Sequence, residues 1–306
     1  MNDMIESLNV SEIMKRAYKK RILVPAFNVA YLPMVKPIVE TLANYQTFGL
    51  VEVARLEVEK FEARSFEDVA KEYNFYKNPK FTRLHQDHIP VIDEDGAKVD
   101  WKSLIQKGLD AGYDSVMIDG SRLAFRENLD ITKQVVAMAH KVKKPAEAEL
   151  GAVMGHEKQL SMSYDEIYER GIGFTSVDEA TQFVRETKID WLSVAIGNIH
   201  GAISGAAKDK DKVQARLNID HLKKLSQKTN IPLVLHGGSG IKTEYVLGAI
   251  RNGITKINIG TDIRQAYERA MKAKPGDVEN GRKQVSEKMR ELICEVYHIE
   301  GSAYKI

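Results

Sequence analysis

The chain has 306 residues, 43% of them hydrophobic and 29% charged, a balance that supports a full buried core and excludes the disordered classes. Lys plus Arg number 45 against 43 for Asp plus Glu, so a net charge of +2 gives no electrostatic reason to expect nucleic acid, and the expected partner is a small molecule. Cys294 is the single cysteine and cannot form an internal disulfide; the amphipathic start lacks the apolar centre of a signal peptide, and no apolar run approaches the ~18 residues of a membrane span. These features predict a cytoplasmic protein without a membrane partner.

In chain order, an apolar run of strand length at 22–27 (ILVPAF) is followed by helical spacing over 31–45, then a strand-like run at 48–54 (FGLVEVA) and another at 80–86 (KFTRLHQ). Helical spacing over 101–112 leads to DSVMI at 114–118, and that over 127–142 leads to KPAEAEL at 144–150. The pattern repeats with a helix over 176–187 before DWLSVAI (190–196), one over 219–229 before IPLVLH (231–236), and one over 243–253 before ITKINI (254–259). Eight strand runs with helical segments between them predict parallel pairing with helical crossovers, and hence an α/β fold, a (β/α)8 barrel. A doubly wound open sheet is the rival. No Pro/Gly/Ser-rich linker divides the chain, so residues 1–306 are expected to form one domain with a helical extension from about 262.

In such barrels the chemistry lies where strands end on the C-terminal face. Here the first run ends at Asn28, the third at Asp87 and His88, the fifth at Glu149 and the seventh at His236, while His200 follows the sixth and Asn258 lies in the last turn of the eighth. His88, His200 and His236 could therefore converge on one cation, as three protein ligands do in catalytic zinc sites. A lone histidine at a strand end is more often a hydrogen-bonded core or rim residue; their shared placement favours the metal. Glu147 and Glu149 are two apart on a strand and point to one face, where they need either a cation or internal salt bridges with Lys or Arg. HGGSG (236–240) and NIGTD (258–262) place small residues before helical segments, where free backbone N–H groups can hold a phosphate; the bland alternative is a pair of tight turns with ordinary helix caps.

Taken together, VPAFNV (24–29), DH (87–88), AGYDSVMIDGS (111–121), ENLDITKQVV (127–136), EAELG (147–151), VAIGNIHG (194–201), VLHGGSGI (234–241), KINIGTD (256–262) and GSAYKI (301–306) resemble the class II, metal-dependent fructose-bisphosphate aldolases, a group that includes tagatose-bisphosphate aldolases. The resemblance implies a (β/α)8 barrel, a lyase activity, a sugar-phosphate substrate, assembly as a homodimer or larger homo-oligomer, and zinc as cofactor with a monovalent cation beside it. It implies that His88, His200 and His236 are zinc ligands, with Glu149 as a further acidic ligand. Asp87 would be the acid/base at the C4 hydroxyl, and Glu157 would move a proton at the carbanion carbon. Gly201, Gly238, Ser239, Gly260 and Thr261 would hold the ketose phosphate, with Asn28 and Asn258 at the substrate. Cleavage between the third and fourth carbons leaves an enediolate on the carbonyl fragment, which a Lewis acid stabilises, so no Schiff-base lysine is needed. Protonation of that fragment releases dihydroxyacetone phosphate.

The sequence departs from the family pattern at the acceptor end. Ala54 replaces a usual serine and is followed by RLEVEKF (55–61), Ser204 stands at a lysine position, His156 precedes Glu157, and Arg122 replaces a common histidine. KPGDVENGRK (274–283) lacks the usual Pro-Arg. Arg55 and Arg122 follow the second and fourth strands and form a candidate cationic site for an anionic acceptor, the alternative for Arg55 being a salt bridge to Glu57 or Glu59. Two other functions stay open: a metal-dependent sugar-phosphate epimerase using Glu149 and Glu157, and a non-catalytic accessory subunit of a tagatose-bisphosphate aldolase.

Overall fold

Eight strands form a closed parallel barrel in sequence order in the computed structural model, which describes residues 5–151, 163–198, 215–238 and 241–306. They are β1 (Val24–Asn28), β2 (Gly49–Ala54), β3 (Thr82–Pro90), β4 (Ser115–Asp119), β5 (Ala146–Leu150), β6 (Trp191–Val194), β7 (Leu233–Leu235) and β8 (Ile254–Ile259). Pairing of β8 with β1, with Ala26 opposite Asn258, closes the ring and excludes the open sheet. Every residue of β2 and β5 is buried, because helices cover the outside while side chains fill the inside.

The helices are α1 (Val10–Lys20), α2 (Val35–Asn44), α3 (Arg55–Lys60), α4 (Phe66–Tyr76), α5 (Trp101–Asp110), α6 (Phe125–Lys141), α7 (Tyr164–Arg170), α8 (Val177–Thr187), α9 (Ile219–Thr229), α10 (Thr243–Arg251), α11 (Thr261–Ala273) and α12 (Val278–Arg290). In α6 the buried Leu129, Thr132, Val135, Val136 and Ala139 recur at three- and four-residue spacing and turn one face to the barrel. Ser176 and Asn218 start α8 and α9 by accepting the backbone N–H groups of Glu179 and His221. Among the described residues no helix is long and apolar enough to cross a membrane.

Two features differ from the sequence expectation. The third strand runs on to Pro90 instead of stopping near residue 86, with a register shift against β4 between Gln86 and Ile89. That bulge absorbs one irregular turn of backbone, and His88 sits in it at φ +25°. The second difference lies between β2 and β3, where α3 follows Ala54 at once and α4 comes after it. α3 buries none of its six residues, so no apolar periodicity announces it; α4 starts on Ser65, which accepts from Asp68 N.

Candidate active site

Side chains two apart on a barrel strand share a face, and the interior face here is ionic. Lys256 of β8, fully buried, places Nζ 3.0 Å from Glu147 Oε2, 3.2 Å from Glu52 Oε2 and 3.8 Å from Asp87 Oδ1. Burial alone would lower the lysine's pKa, but the charges of Glu147, Glu52 and Asp87 outweigh it and hold the ammonium protonated. Glu147 also accepts from Trp191 Nε1 at 2.5 Å, and His85, whose Nδ1 lies 2.8 Å from Ser115 Oγ, stands 3.4 Å from it. Glu52 has its pKa raised well above the carboxylate range, first by burial and then by Asp87.

Two residues further along the same strands lies the mouth. Asp87, 1% exposed, accepts from Asn28 Nδ2 on Oδ2 at 3.0 Å and from Asn258 Nδ2 on Oδ1 at 2.8 Å. Burial would raise its pKa; the charges of His88, Lys256 and His236 overcome that and hold the carboxyl well below the usual range. Asn28 and Asn258, expected at the substrate, thus bond to Asp87 directly.

His88 follows at φ +25°, a region that residues other than glycine adopt only when their surroundings enforce it. Its Nδ1 is 3.6 Å from Asp119 Oδ2, and Asp119 Oδ1 accepts from Ser121 N at 3.0 Å and Ser121 Oγ at 2.6 Å. The His88 and His236 rings lie 4.3 Å apart. His236 has both nitrogens engaged, Nδ1 at 2.9 Å from Glu149 Oε2 and Nε2 at 3.0 Å from Glu147 Oε1. Burial and the His88 charge lower its pKa, and the two glutamates raise it further, leaving it above the ordinary histidine value. Asn198 Nδ2 donates to the His236 carbonyl at 2.8 Å, and Asn128 Nδ2 to that of Glu149 at 2.9 Å, fixing both residues from behind.

Donor atoms of Asp87, His88 and His236 lie within 4.8 Å of one another, as do those of His88, Asp119 and Glu149. Two imidazoles and several carboxylates at this spacing form a nitrogen and oxygen set that fits a zinc ion. Asp119 was not singled out in the sequence, although it closes the fourth strand as Glu149 closes the fifth.

At β7 and β8, Gly238 packs so that an added Cβ would meet Ile257 Cγ2 at 3.0 Å, and one at Gly260 would meet Asn28 Oδ1 at 3.3 Å. Gly260 is the N-cap of α11 and supplies no side-chain cap, which leaves the first N–H groups of that helix, beginning at Thr261, without an intrahelical partner. On the other side of the mouth Arg55 is held by Glu59 at 2.7 Å, Asp93 at 3.5 Å and Glu94 at 3.8 Å, while Arg122 is exposed beyond β4. Glu157, His200, Gly201 and Ser239 lie outside the described residues.

Residues 8–305 match the family "Fructose-bisphosphate aldolase class-II". A fructose-bisphosphate aldolase of Helicobacter pylori (strain ATCC 700392 / 26695) is 36% identical over 201 residues, covering 59% of this chain and 62% of that protein. A 6-phospho-5-dehydro-2-deoxy-D-gluconate aldolase of Shouchella clausii is 40% identical over 187 residues, covering 61% of this chain and 55% of that one. The chain thus spans less than two thirds of the length of these curated relatives. In structure, the YdjI aldolase of Escherichia coli K12 superposes with a TM-score of 0.75 at 27% identity, covering 96% of this chain and 98% of that one. With a closed eightfold barrel, a histidine and carboxylate cluster at its mouth and a family match along nearly its whole length, the chain belongs to the class II fructose-bisphosphate aldolase family.

Proposed function

We propose that the protein is a zinc-dependent aldolase that reversibly cleaves a ketose 1-phosphate or 1,6-bisphosphate to dihydroxyacetone phosphate and an aldehyde. The observation that carries this reading is Asp87, a buried carboxylate oriented on both oxygens by asparagines and set beside the His88 and His236 donors. His88, His236 and, from outside the described residues, His200 would hold the zinc, with Glu149 as a further ligand. Once bound, the metal supplies Lewis acidity to the substrate's carbonyl and hydroxyl oxygens. Asp119 orients His88 through its ring nitrogen, as outer carboxylates do for metal-binding histidines.

Asp87 is the base that takes the C4 hydroxyl proton as the C3–C4 bond breaks, and Asn28 and Asn258 keep it aimed. Glu157 then returns a proton to the enediolate carbon. The first N–H groups of α11 at Thr261, with Gly260, Gly238, Gly201 and Ser239, cradle the phosphate. A homo-oligomer in the cytoplasm, with a monovalent cation beside the zinc, completes the proposal.

The test is to incubate the metal-loaded protein with fructose 1,6-bisphosphate, tagatose 1,6-bisphosphate and fructose 1-phosphate and to measure triose phosphate. Release that stops on chelation and returns with zinc supports the reading. An epimerised ketose phosphate without triose phosphate would place the protein among epimerases, and no turnover of any ketose phosphate would favour an accessory role.

A further inference from the structure

We infer that the mouth selects an uncharged polyhydroxylated aldehyde as the partner of dihydroxyacetone phosphate, with Arg55 and Glu57 as specificity-determining residues; this rests on the aldolase reading above. In a ring of eight strands, β7 and β8 stand across the barrel from β3 and β4. A ketose held by its 1-phosphate at Gly238 and Gly260 therefore extends its far end toward the rim after β3 and β4, and α3 borders that rim because Ala54 at its start is paired with Asp87 of β3. A phosphate arriving there would need an uncompensated cation, and Arg55 is not one. Its side chain is 17% exposed, and its guanidinium already faces three carboxylates, Glu59 from its own helix and Asp93 and Glu94 from the loop after β3. Asp93 is itself fixed, accepting from Ala97 N at 2.8 Å and Asp95 N at 3.1 Å, so the acid side of the pair is built into the loop.

Glu57 adds to the same sign. It lies one turn into α3, half-buried, with Oε2 accepting from Ala54 N at 2.6 Å, and Ala54 is paired in register with Asp87. Glu57 therefore stands at the Asp87 end of the rim, where burial, and after it the charge of Asp87, pushes its pKa up to about 7. Arg122 is exposed, where water and salt screen it. Sugar hydroxyls donate hydrogen bonds to carboxylates, whereas a phosphate only accepts from donors and is repelled by them. Among the described residues, the rim thus favours the uncharged aldehyde.

Condensation forms the C3–C4 bond, removes one proton from C3 of dihydroxyacetone phosphate and places one on the aldehyde oxygen. Two measurements on the metal-loaded full chain separate this inference from the reading beneath it. The first is solvent exchange of that C3 proton with no aldehyde present; its absence would mean that the aldolase reading fails and the inference with it. The second compares kcat/KM for D-glyceraldehyde, erythrose and xylose with that for D-glyceraldehyde 3-phosphate. We expect the best uncharged aldose to exceed the phosphorylated aldehyde by about tenfold or more. Glu57→Gln, and separately Glu59→Gln with Glu94→Gln to release Arg55, should shrink that ratio, chiefly through a lower KM for the phosphorylated aldehyde. Exchange that proceeds while the phosphorylated aldehyde is preferred, or a ratio unmoved in both variants, overturns the inference and leaves the aldolase reading standing.

Discussion

At the residue scale, the two amides on Asp87 decide what its replacement does. Asp87→Asn is nearly isosteric, yet its own NH2 must face the NH2 of either Asn28 or Asn258, so one of these hydrogen bonds is lost as well as the base. A stability loss of about 1 kcal/mol is expected from the broken bond. Turnover should fall by about 10²–10⁴-fold from the missing proton acceptor. Metal content should stay, since the histidine donors are untouched. Single-turnover cleavage with zinc analysis of the same sample checks both, and a kcat within a fewfold of the parent would remove Asp87 from the chemistry.

At the scale of elements, α3 brings Glu57 into a place where a carboxylate is poorly solvated. An ordinary glutamate titrates at 4.5, and Glu57 in the fold at about 7. Between those values the unfolded chain gives up its proton first, so the folded state loses stability as pH climbs through the window, and the penalty is complete above it. Glu57→Gln removes the penalty. In chelated protein the variant should melt near the parent at about pH 5 and above it at about pH 8; an equal difference at both would show that the carboxyl is well hydrated. The sequence announced neither α3 nor this role, because none of the six residues is buried and its charges read as a solvated surface. The barrel itself was legible, since eight apolar runs between amphipathic segments admit few other architectures. His88, Glu149 and His236 were legible too, because each stands where a run meets its loop. Lys256 and Glu52 were not, as ITKINI and GLVEVA are buried on both faces and lose the alternation that marks which side chains point inward. Asp119 needed the fold to show that it reaches His88.

At the scale of the whole molecule, the barrel axis is built around a charge cluster where other cores are apolar. Lys256→Met leaves Glu147 and Glu52 buried without their cation, and unfolding free energy should drop by about 3–5 kcal/mol. Urea titration would show this as a lower midpoint at unchanged slope. A loss below about 1 kcal/mol would mean that Glu52 holds a proton and the cluster tolerates a neutral axis. This cluster and the ion pairs of Arg55 carry similar charges at different depths, and dissolved salt distinguishes them. Screening acts over about 8 Å at physiological ionic strength on pairs that water reaches, and little on those it does not. Arg55 should therefore loosen from Asp93 and Glu94 as salt rises, while Lys256 keeps Glu147. The choice of aldehyde would then drift with the ionic strength of the surroundings, and the machinery that breaks the carbon–carbon bond would not.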